Sequence, residues 1–134
     1  MQERAKTITV NGLVMAILAI LLFAVSTQCR QFAQYSRGEK ALASGDYIQA
    51  IAGFESAIHM YTPLSPLVER SAVRLWRIGE TLERQADTEK ALIAYRSLRS
   101  SFYSTHGLFR PGMEWISRSD QKIAALEKPV QPAK

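Results

Sequence analysis

The apolar residues follow two patterns along the chain, an unbroken run near the N-terminus and evenly spaced series after it. The stretch from Thr7 to Cys29 contains no charged residue, and its centre from Leu13 to Val25 is almost entirely apolar. About 20 such residues in a helix cross about 30 Å of hydrocarbon, and a helix satisfies its own backbone hydrogen bonds there. The run therefore predicts a single membrane-spanning anchor over residues 8–27, within an N-terminal region of residues 1–29.

A cleaved signal peptide and a lipid attachment site are the two alternatives for this run. Arg4 and Lys6 give it a basic start, and Ala24-Val25-Ser26 resembles a small-residue cleavage site, so a signal peptide cut there would release a soluble exported protein. Lipidation at Cys29 is the weaker alternative, because the residues just before it are a poor match to such a signal. The anchor leads because the run is long for a signal peptide and no helix breaker precedes the cleavage site.

Basic residues stand on both sides of the run, Arg4 and Lys6 before it and Arg30, Arg37 and Lys40 after it. The excess of positive charge that orients membrane helices is therefore not decisive. A short basic N-terminal tail is usual for an uncleaved anchor, so we expect the C-terminal part outside the cytoplasm, on the periplasmic side in a bacterium. The formal net charge of +5 permits an anionic partner without requiring one.

After the run, apolar residues recur at steps of three and four, which is the period of an amphipathic helix. Glycine, proline and aspartate separate the series at residues 44–46, 62–66, 86–88 and 105–112, where helices end and begin. No stretch alternates in the way a strand would, so the pattern predicts an all-α domain over residues 30–128 and a disordered tail over residues 129–134. The series are Ile48, Ile51, Phe54, Ile58 and Tyr61; Leu75, Ile78 and Leu82; Ala91, Tyr95, Leu98 and Phe102; and Ile116, Ile123 and Leu126.

Two stretches of this domain match each other at an offset of 41 residues, Tyr35–Ile58 and Trp76–Arg99. Such self-similarity indicates a repeated pair of helices. The small residues would let the two helices of a pair approach closely, and the aromatic residue would fill the gap between them. The matched pairs are Gly38 with Gly79, Glu39 with Glu80, Asp46 with Asp87, Ala50 with Ala91, and Phe54 with Tyr95.

The chain resembles the tetratricopeptide repeat family over residues 32–103. The resemblance rests on Gly38, Gly45, Asp46, Tyr47, Ala50, Ile51, Phe54, Ala57, Ile58 and Pro63 in the first unit and on Gly79, Leu82, Asp87, Ala91, Leu92 and Tyr95 in the second. The resemblance implies two helical hairpins, followed by a C-terminal capping helix after Pro111. The period is 41 residues rather than the family's usual length of about 34, and two units are fewer than the three that such stacks need. The capping helix, a partner or a second copy of the chain would cover the remaining face.

The family binds proteins through the inner face of its first helices. Carried over by alignment, that face shows Phe32, Tyr35, Glu39 and Leu42 in the first unit and Val73, Trp76, Glu80, Glu83 and Arg84 in the second. The residues selected as partner-binding are Phe32, Tyr35, Glu39, Trp76, Glu80 and Arg84. Tyr35 and Trp76 are equivalent, which suggests two aromatic anchors for a partner segment. The alternative is that Trp76 belongs to the core or lies under the last helix. A free C-terminal carboxylate is not the expected ligand, because Glu39 and Glu80 stand where some members carry a lysine and an asparagine.

Arginines share one side of a predicted helix at positions Arg70, Arg74, Arg77 and Arg84. The first three form a candidate basic surface for an anionic lipid or an acidic partner, while the competing interpretation is a solvated helix face. Nucleic acid is not expected, because three glutamates interrupt the positive charge. The aromatic segment around residues 102–109 and Trp115 either faces a membrane or partner, or closes the end of the core.

Candidate catalytic sets are missing from the sequence, which has one cysteine, two distant histidines and no phosphate-binding glycine loop. We therefore expect neither an enzyme nor a cofactor or metal site. The leading prediction is a single-pass, membrane-anchored protein-interaction module, a small accessory or scaffold subunit of an envelope complex. A structural subunit that packs its anchor against other spans through Gly12, Ala16 and Ala19 is a further alternative.

The anchor and the first repeat helix are not separated by a strong helix breaker. One helix from about Ile8 to Ser44 would be about 55 Å long at 1.5 Å per residue. It would hold the binding face rigidly close to the bilayer, whereas a kink between Cys29 and Gln31 would contradict this prediction.

Overall fold

The computed structural model describes residues 1–62, 65–105, 107 and 110–128, and all regular structure in these ranges is helical. The prediction of an all-α chain is confirmed in this part. The predicted disordered tail at residues 129–134 lies outside the described residues, as do Leu108 and Phe109 of the aromatic segment. The helices are α1 Gln2–Ala43, α2 Tyr47–His59, α3 Pro66–Arg84, α4 Thr88–Ser104 and α5 Met113–Leu126.

Helix α1 continues without a break through Cys29 and Gln31, as predicted, and it begins earlier than expected, at Gln2. It is long and apolar enough to cross a membrane. The large apolar side chains from Ile8 to Val25 are all exposed, because the most apolar part of α1 lies apart from the other helices. These properties fit a membrane span, and a signal sequence near an N-terminus shares them.

Helix α1 packs on α2 through its C-terminal third only, and each later helix packs on the one before it. Contacts between α2 and α4 and between α1 and α3 complete the arrangement. Side chains of α3 and α5 also meet, for example Glu69 with Trp115. The helical domain therefore has two layers, with α1, α3 and α5 in one and α2 and α4 in the other.

The core lies between these layers and uses most of the residues that the spacing predicts. Phe54, Leu75, Tyr95 and the other core residues are at most 9% exposed. Three predicted positions differ, of which Leu126, at the end of α5, is only partly buried. Ile48 is 44% exposed because it lies in the first turn of α2 on the outer side, and Tyr61 is 37% exposed because α2 has already ended at His59.

The turns after α1 and α3 have the same geometry, 41 residues apart. Gly45 and Ala86 both adopt positive φ, at 78° and 58°. The following aspartates cap the next helix, Asp46 accepting from the Gln49 amide at 3.1 Å and Asp87 from the Lys90 amide at 3.2 Å. Each carboxylate satisfies an amide that the first helical turn leaves without a partner, which explains why the helices begin where the sequence predicts.

Glycines and aromatic residues meet in the same way in both helix pairs. A Cβ atom at Gly38 would lie 2.9 Å from the Phe54 ring, and one at Gly79 would lie 2.6 Å from the Tyr95 ring. The predicted packing of an aromatic ring against a small residue is confirmed in both pairs. The tetratricopeptide resemblance itself stays a prediction.

Candidate interaction groove

A depression of about 400 Å³ lies between α1 and α3 on the layer that holds the first helix of each pair. We call it the α1–α3 groove and define it by Tyr35, Glu69, Arg70, Val73, Arg74 and Arg77. The sequence predicts Tyr35 and the three arginines as parts of two separate surfaces. The structure brings them together in one groove.

Tyr35 forms the α1 wall of the groove and is held from behind by Phe54 on α2. The two rings meet edge to face, with centroids 5.5 Å apart and planes at 62°. Gly38, one turn further along α1, makes room for the Phe54 ring. Tyr35 therefore has a fixed position and keeps part of its surface open to the groove.

An ion pair joins α1 and α3 one helical turn beyond Tyr35, on the side away from the apolar run. Arg74 Nε lies 2.7 Å from Glu39 Oε1, and Arg74 Nη2 donates to Glu39 Oε2 at 2.8 Å. The Tyr35 side chain and the Glu39 carboxylate raise the pKa of Arg74 above its ordinary value, against the opposing effect of burial. Glu39, which the sequence places on the binding face, is thus already occupied by Arg74.

The other two arginines of the groove, Arg70 and Arg77, are exposed. Among the residues that the structure describes, neither has a carboxylate within 4.0 Å. The nearby Glu69 accepts a hydrogen bond from Trp115 Nε1 at 3.1 Å. The groove therefore presents two guanidinium groups whose charge has no counter-ion in this part of the chain.

Trp76, the equivalent of Tyr35 in the second pair, has a different environment. It meets Tyr95 edge to face, with centroids 5.1 Å apart and planes at 63°. Helix α5 then covers it, because the Trp115 ring lies 6.0 Å away and the Arg118 guanidinium lies 4.3 Å above the Trp76 ring. Of the two interpretations of Trp76, these contacts favour coverage by the last helix over an open groove.

The remaining residues of the predicted binding face lie outside the groove. Glu80 accepts a hydrogen bond from Trp76 Nε1 at 2.9 Å. Arg84 donates to Thr81 Oγ1 at 3.0 Å at the far end of α3. Phe32 is 61% exposed on α1, on the side of Tyr35 that faces the anchor.

Gln31 is a fully buried polar residue that the sequence pattern does not single out. Its Nε2 donates to the Ala57 and Met60 carbonyls at 2.9 and 3.1 Å, and its Oε1 accepts from Ser65 Oγ at 2.6 Å. One amide thus ties α1 to the end of α2 and the start of α3. Its position at helical spacing before Tyr35 and Gly38 is the signal that could have revealed it.

Glu83 belongs to the predicted binding face, but its role in joining three helices was not predicted. It accepts from Lys122 of α5 at 2.8 and 3.0 Å and from the Tyr95 hydroxyl of α4. Burial tends to raise the pKa of Glu83, but the hydrogen bonds from Lys122 and Tyr95 outweigh it, so this pKa lies below its usual value. Burial and the same carboxylate raise the pKa of Tyr95.

In the described ranges, no cluster of three or more histidine, cysteine, aspartate or glutamate side chains could hold a metal ion. No protein-family model matches the chain, and neither the curated proteins nor the solved structures contain a significant match. The groove and the apolar helix are therefore the features of the molecule that bear on its function.

Proposed function

We propose that the protein is a membrane-anchored, tetratricopeptide-like interaction module whose α1–α3 groove receives an acidic segment of a partner protein. It would serve as a small accessory or scaffold subunit of a membrane complex, with its helical domain outside the cytoplasm. The observation that carries the proposal is the pair of exposed guanidinium groups, Arg70 and Arg77, beside Tyr35. Two carboxylates of a partner would supply the counter-ions that these groups lack among the described residues.

The spacing of the groove residues fits an extended segment. Arg70 and Arg77 are seven residues apart on α3, about 10 Å at 1.5 Å per residue. An extended chain advances about 3.3 Å per residue, so about three residues cover that distance. Guanidinium groups bind carboxylates in a two-pronged geometry, and aromatic residues such as Tyr35 commonly anchor interfaces.

The repeated geometry supports the tetratricopeptide-like part of the proposal. The two turns share a left-handed residue followed by an aspartate cap, and the two pairs share the contact between a glycine and an aromatic ring. The resemblance implies that the first helices line the inner, concave face of the stack, and repeat stacks bind partners through such faces. The groove lies between α1 and α3, which are the first helices of the two pairs.

A photo-crosslinking amino acid at Val73 tests the proposal in native membranes. Val73 lines the groove, whereas Ile93 is 40% exposed on the opposite layer and gives a matched control. We expect Val73 to crosslink a protein that carries an acidic segment, and we expect the crosslink to disappear in the R70E/R77E variant. Equal crosslinking at Val73 and Ile93, or a Val73 crosslink that survives the charge reversal, would refute the groove assignment.

The exported soluble form is the competing proposal, and it is supported by the position of the apolar run, which lies near the N-terminus and is not buried against the other helices, as in a signal sequence. An intact-mass measurement of the native protein separates the two. A full-length mass supports the anchor, and a mass without residues 1–26 supports an exported protein that keeps the groove.

A further inference from the structure

One end of the helical domain lies next to the apolar run of α1, and the contacts of Gln31 show which helix ends are located there. Gln31 follows Thr27, where the predicted span ends, by four residues, about 6 Å at 1.5 Å per residue. The Gln31 side chain bonds to the Met60 carbonyl and to Ser65 Oγ. The end of α2 and the start of α3 therefore lie level with the first turn of α1 beyond the span.

The end of α4 and the start of α5 lie at this same end of the domain. Trp115 of α5 donates to Glu69, in the first turn of α3, at 3.1 Å. Phe102, near the end of α4, packs so closely on Gly112 that a Cβ atom there would lie 2.1 Å from its ring. We call this end the base of the domain, and it consists of the described residues around 32, 60–62, 103–105 and 110–113.

Exposed apolar side chains are concentrated at the base. Beyond the apolar run, the large apolar residues of the described chain that are more than a third exposed are Phe32, Ile48, Tyr61, Ile93, Tyr103 and Met113. The base holds four of them, with exposures of 61% for Phe32, 37% for Tyr61, 53% for Tyr103 and 50% for Met113. The other two, Ile48 and Ile93, lie in the first two turns of α2 and α4, toward the opposite end.

We propose that the base is a second membrane contact, in which these four side chains enter the interfacial region of the bilayer that α1 spans. The proposal rests on the anchoring role proposed above. A bilayer of about 40–45 Å has a hydrocarbon core of about 30 Å, which leaves about 5–8 Å of headgroup region on each side. The base begins about 6 Å beyond the span, so α1 places it at headgroup depth.

The chemistry of the base matches this depth. Tyrosine is enriched where membranes meet water, because its ring is apolar and its hydroxyl can stay hydrated. Arg30 and Arg110 are both exposed beside the base and would attract anionic headgroups. Because α1 is continuous and Gln31 fixes it to the domain, the contact would hold the α1–α3 groove above the membrane surface, open to partner segments that run close to it.

Spin labels on single cysteines test this contact in the full chain. Cys29→Ser removes the native thiol, and labels are then placed by Tyr61→Cys and Met113→Cys at the base and by Ile48→Cys and Ile93→Cys as controls. Leu18→Cys reports on the anchor. The protein is reconstituted in vesicles of phosphatidylcholine and phosphatidylglycerol, and collisions with oxygen and with a water-soluble nickel complex are measured. Far-ultraviolet circular dichroism checks that each variant keeps its helices.

We expect labels at residues 61 and 113 to collide several-fold less with nickel, relative to oxygen, than labels at residues 48 and 93. If all four labels behave alike while the Leu18→Cys label is shielded by lipid, the base contact is refuted and the anchor stands. If the label at residue 18 is itself open to nickel, the anchor fails and the base contact fails with it. The two failures are therefore distinguishable.

Discussion

The two helix pairs share their turn and their aromatic contact, but they differ in what covers the aromatic residue of the first helix. Tyr35 and Trp76 meet their partner rings at nearly equal angles, 62° and 63°. Tyr35 opens into the α1–α3 groove, whereas Trp76 lies under Trp115 and Arg118 of α5. The same local arrangement thus leaves Tyr35 open in the first pair and Trp76 covered in the second, because α5 packs only on the second pair.

The residues that differ between the pairs explain this division. Where the first pair has Leu42, the second has Glu83, which binds Lys122 and so holds α5 in place. Where the second pair has Ala72, the first has Gln31, which ties α1 to α2 and α3. The first pair therefore fixes its own helix α1 to α2 and to the start of α3, whereas the second pair fixes the additional helix α5.

The largest expected effect is a difference in the free energy of unfolding when each of the two equivalent aromatic residues, Trp76 and Tyr35, is replaced by alanine. Trp76→Ala should lower the free energy of unfolding of the helical domain by about 3 kcal/mol, because it leaves a cavity beneath α5. Tyr35→Ala should cost about 1 kcal/mol, because its ring is already open on the groove side. Urea unfolding in mild detergent, followed by near-ultraviolet circular dichroism, measures both. Equal losses would contradict the contrast between the covered and the open position.

A smaller effect comes from the closest approach of the two helices in the first pair. A Cβ atom at Gly53 would lie 2.6 Å from the Gly38 backbone nitrogen, and the equivalent residue in the second pair is a buried alanine, Ala94. Gly53→Ala should therefore destabilise the domain by about 2 kcal/mol, because backbone atoms must move. Ala94→Gly should cost only about 1 kcal/mol, through the added freedom of the unfolded chain. Urea unfolding of both variants measures the difference, and a larger loss for Ala94→Gly would contradict the tighter approach in the first pair.

The contact between Lys122 of α5 and Glu83 of the second helix pair should weaken as the pH falls. The folded pKa of Glu83 is lowered, so its contribution to stability is complete above the unfolded pKa of about 4.3 and is lost as the pH falls through the folded value. We expect a loss of about 1 kcal/mol on acidification, which Glu83→Gln removes. Urea unfolding at pH 6 and pH 3, followed by tryptophan fluorescence, measures it. An unchanged acid dependence in E83Q would contradict the role of this carboxylate.

The smallest predicted effect comes from exchanging the residue with positive φ between the two turns. Ala86 has a φ of 58°, in the region that favours glycine, and Gly45 occupies the same place in the first turn. Ala86→Gly should stabilise the domain by up to about 1 kcal/mol, and Gly45→Ala should destabilise it by a similar amount. Thermal unfolding of both variants tests the equivalence of the turns. A change of the same sign in both would show that the turns are not equivalent.

The features that the sequence predicts correctly depend on local chemistry. Helix ends follow from caps a few residues away, such as Asp46, Asp87 and, before Pro66, Ser65, whose hydroxyl accepts from the Leu67 amide at the start of α3. The continuity of α1 follows from the lack of a breaker. The position of Tyr35 beside Arg70 and Arg77 could not be predicted, because it depends on how α1 packs on α3. The covering of Trp76 needed the docking of α5 through Trp115 and Lys122, whose partners lie 46 and 39 residues away. Such long-range contacts leave no periodic signal in the sequence.

The central claim is that the α1–α3 groove, and not the covered side of the second pair, binds an acidic segment. A direct test compares a fluorescent glutamate-rich peptide with its lysine-rich counterpart on the full chain in nanodiscs. We predict that the unaltered protein prefers the acidic peptide, that R70E/R77E prefers the basic one, and that R84E, outside the groove, keeps the original preference. If R84E changes the preference as much as R70E/R77E does, or if neither variant changes it, the claim is contradicted.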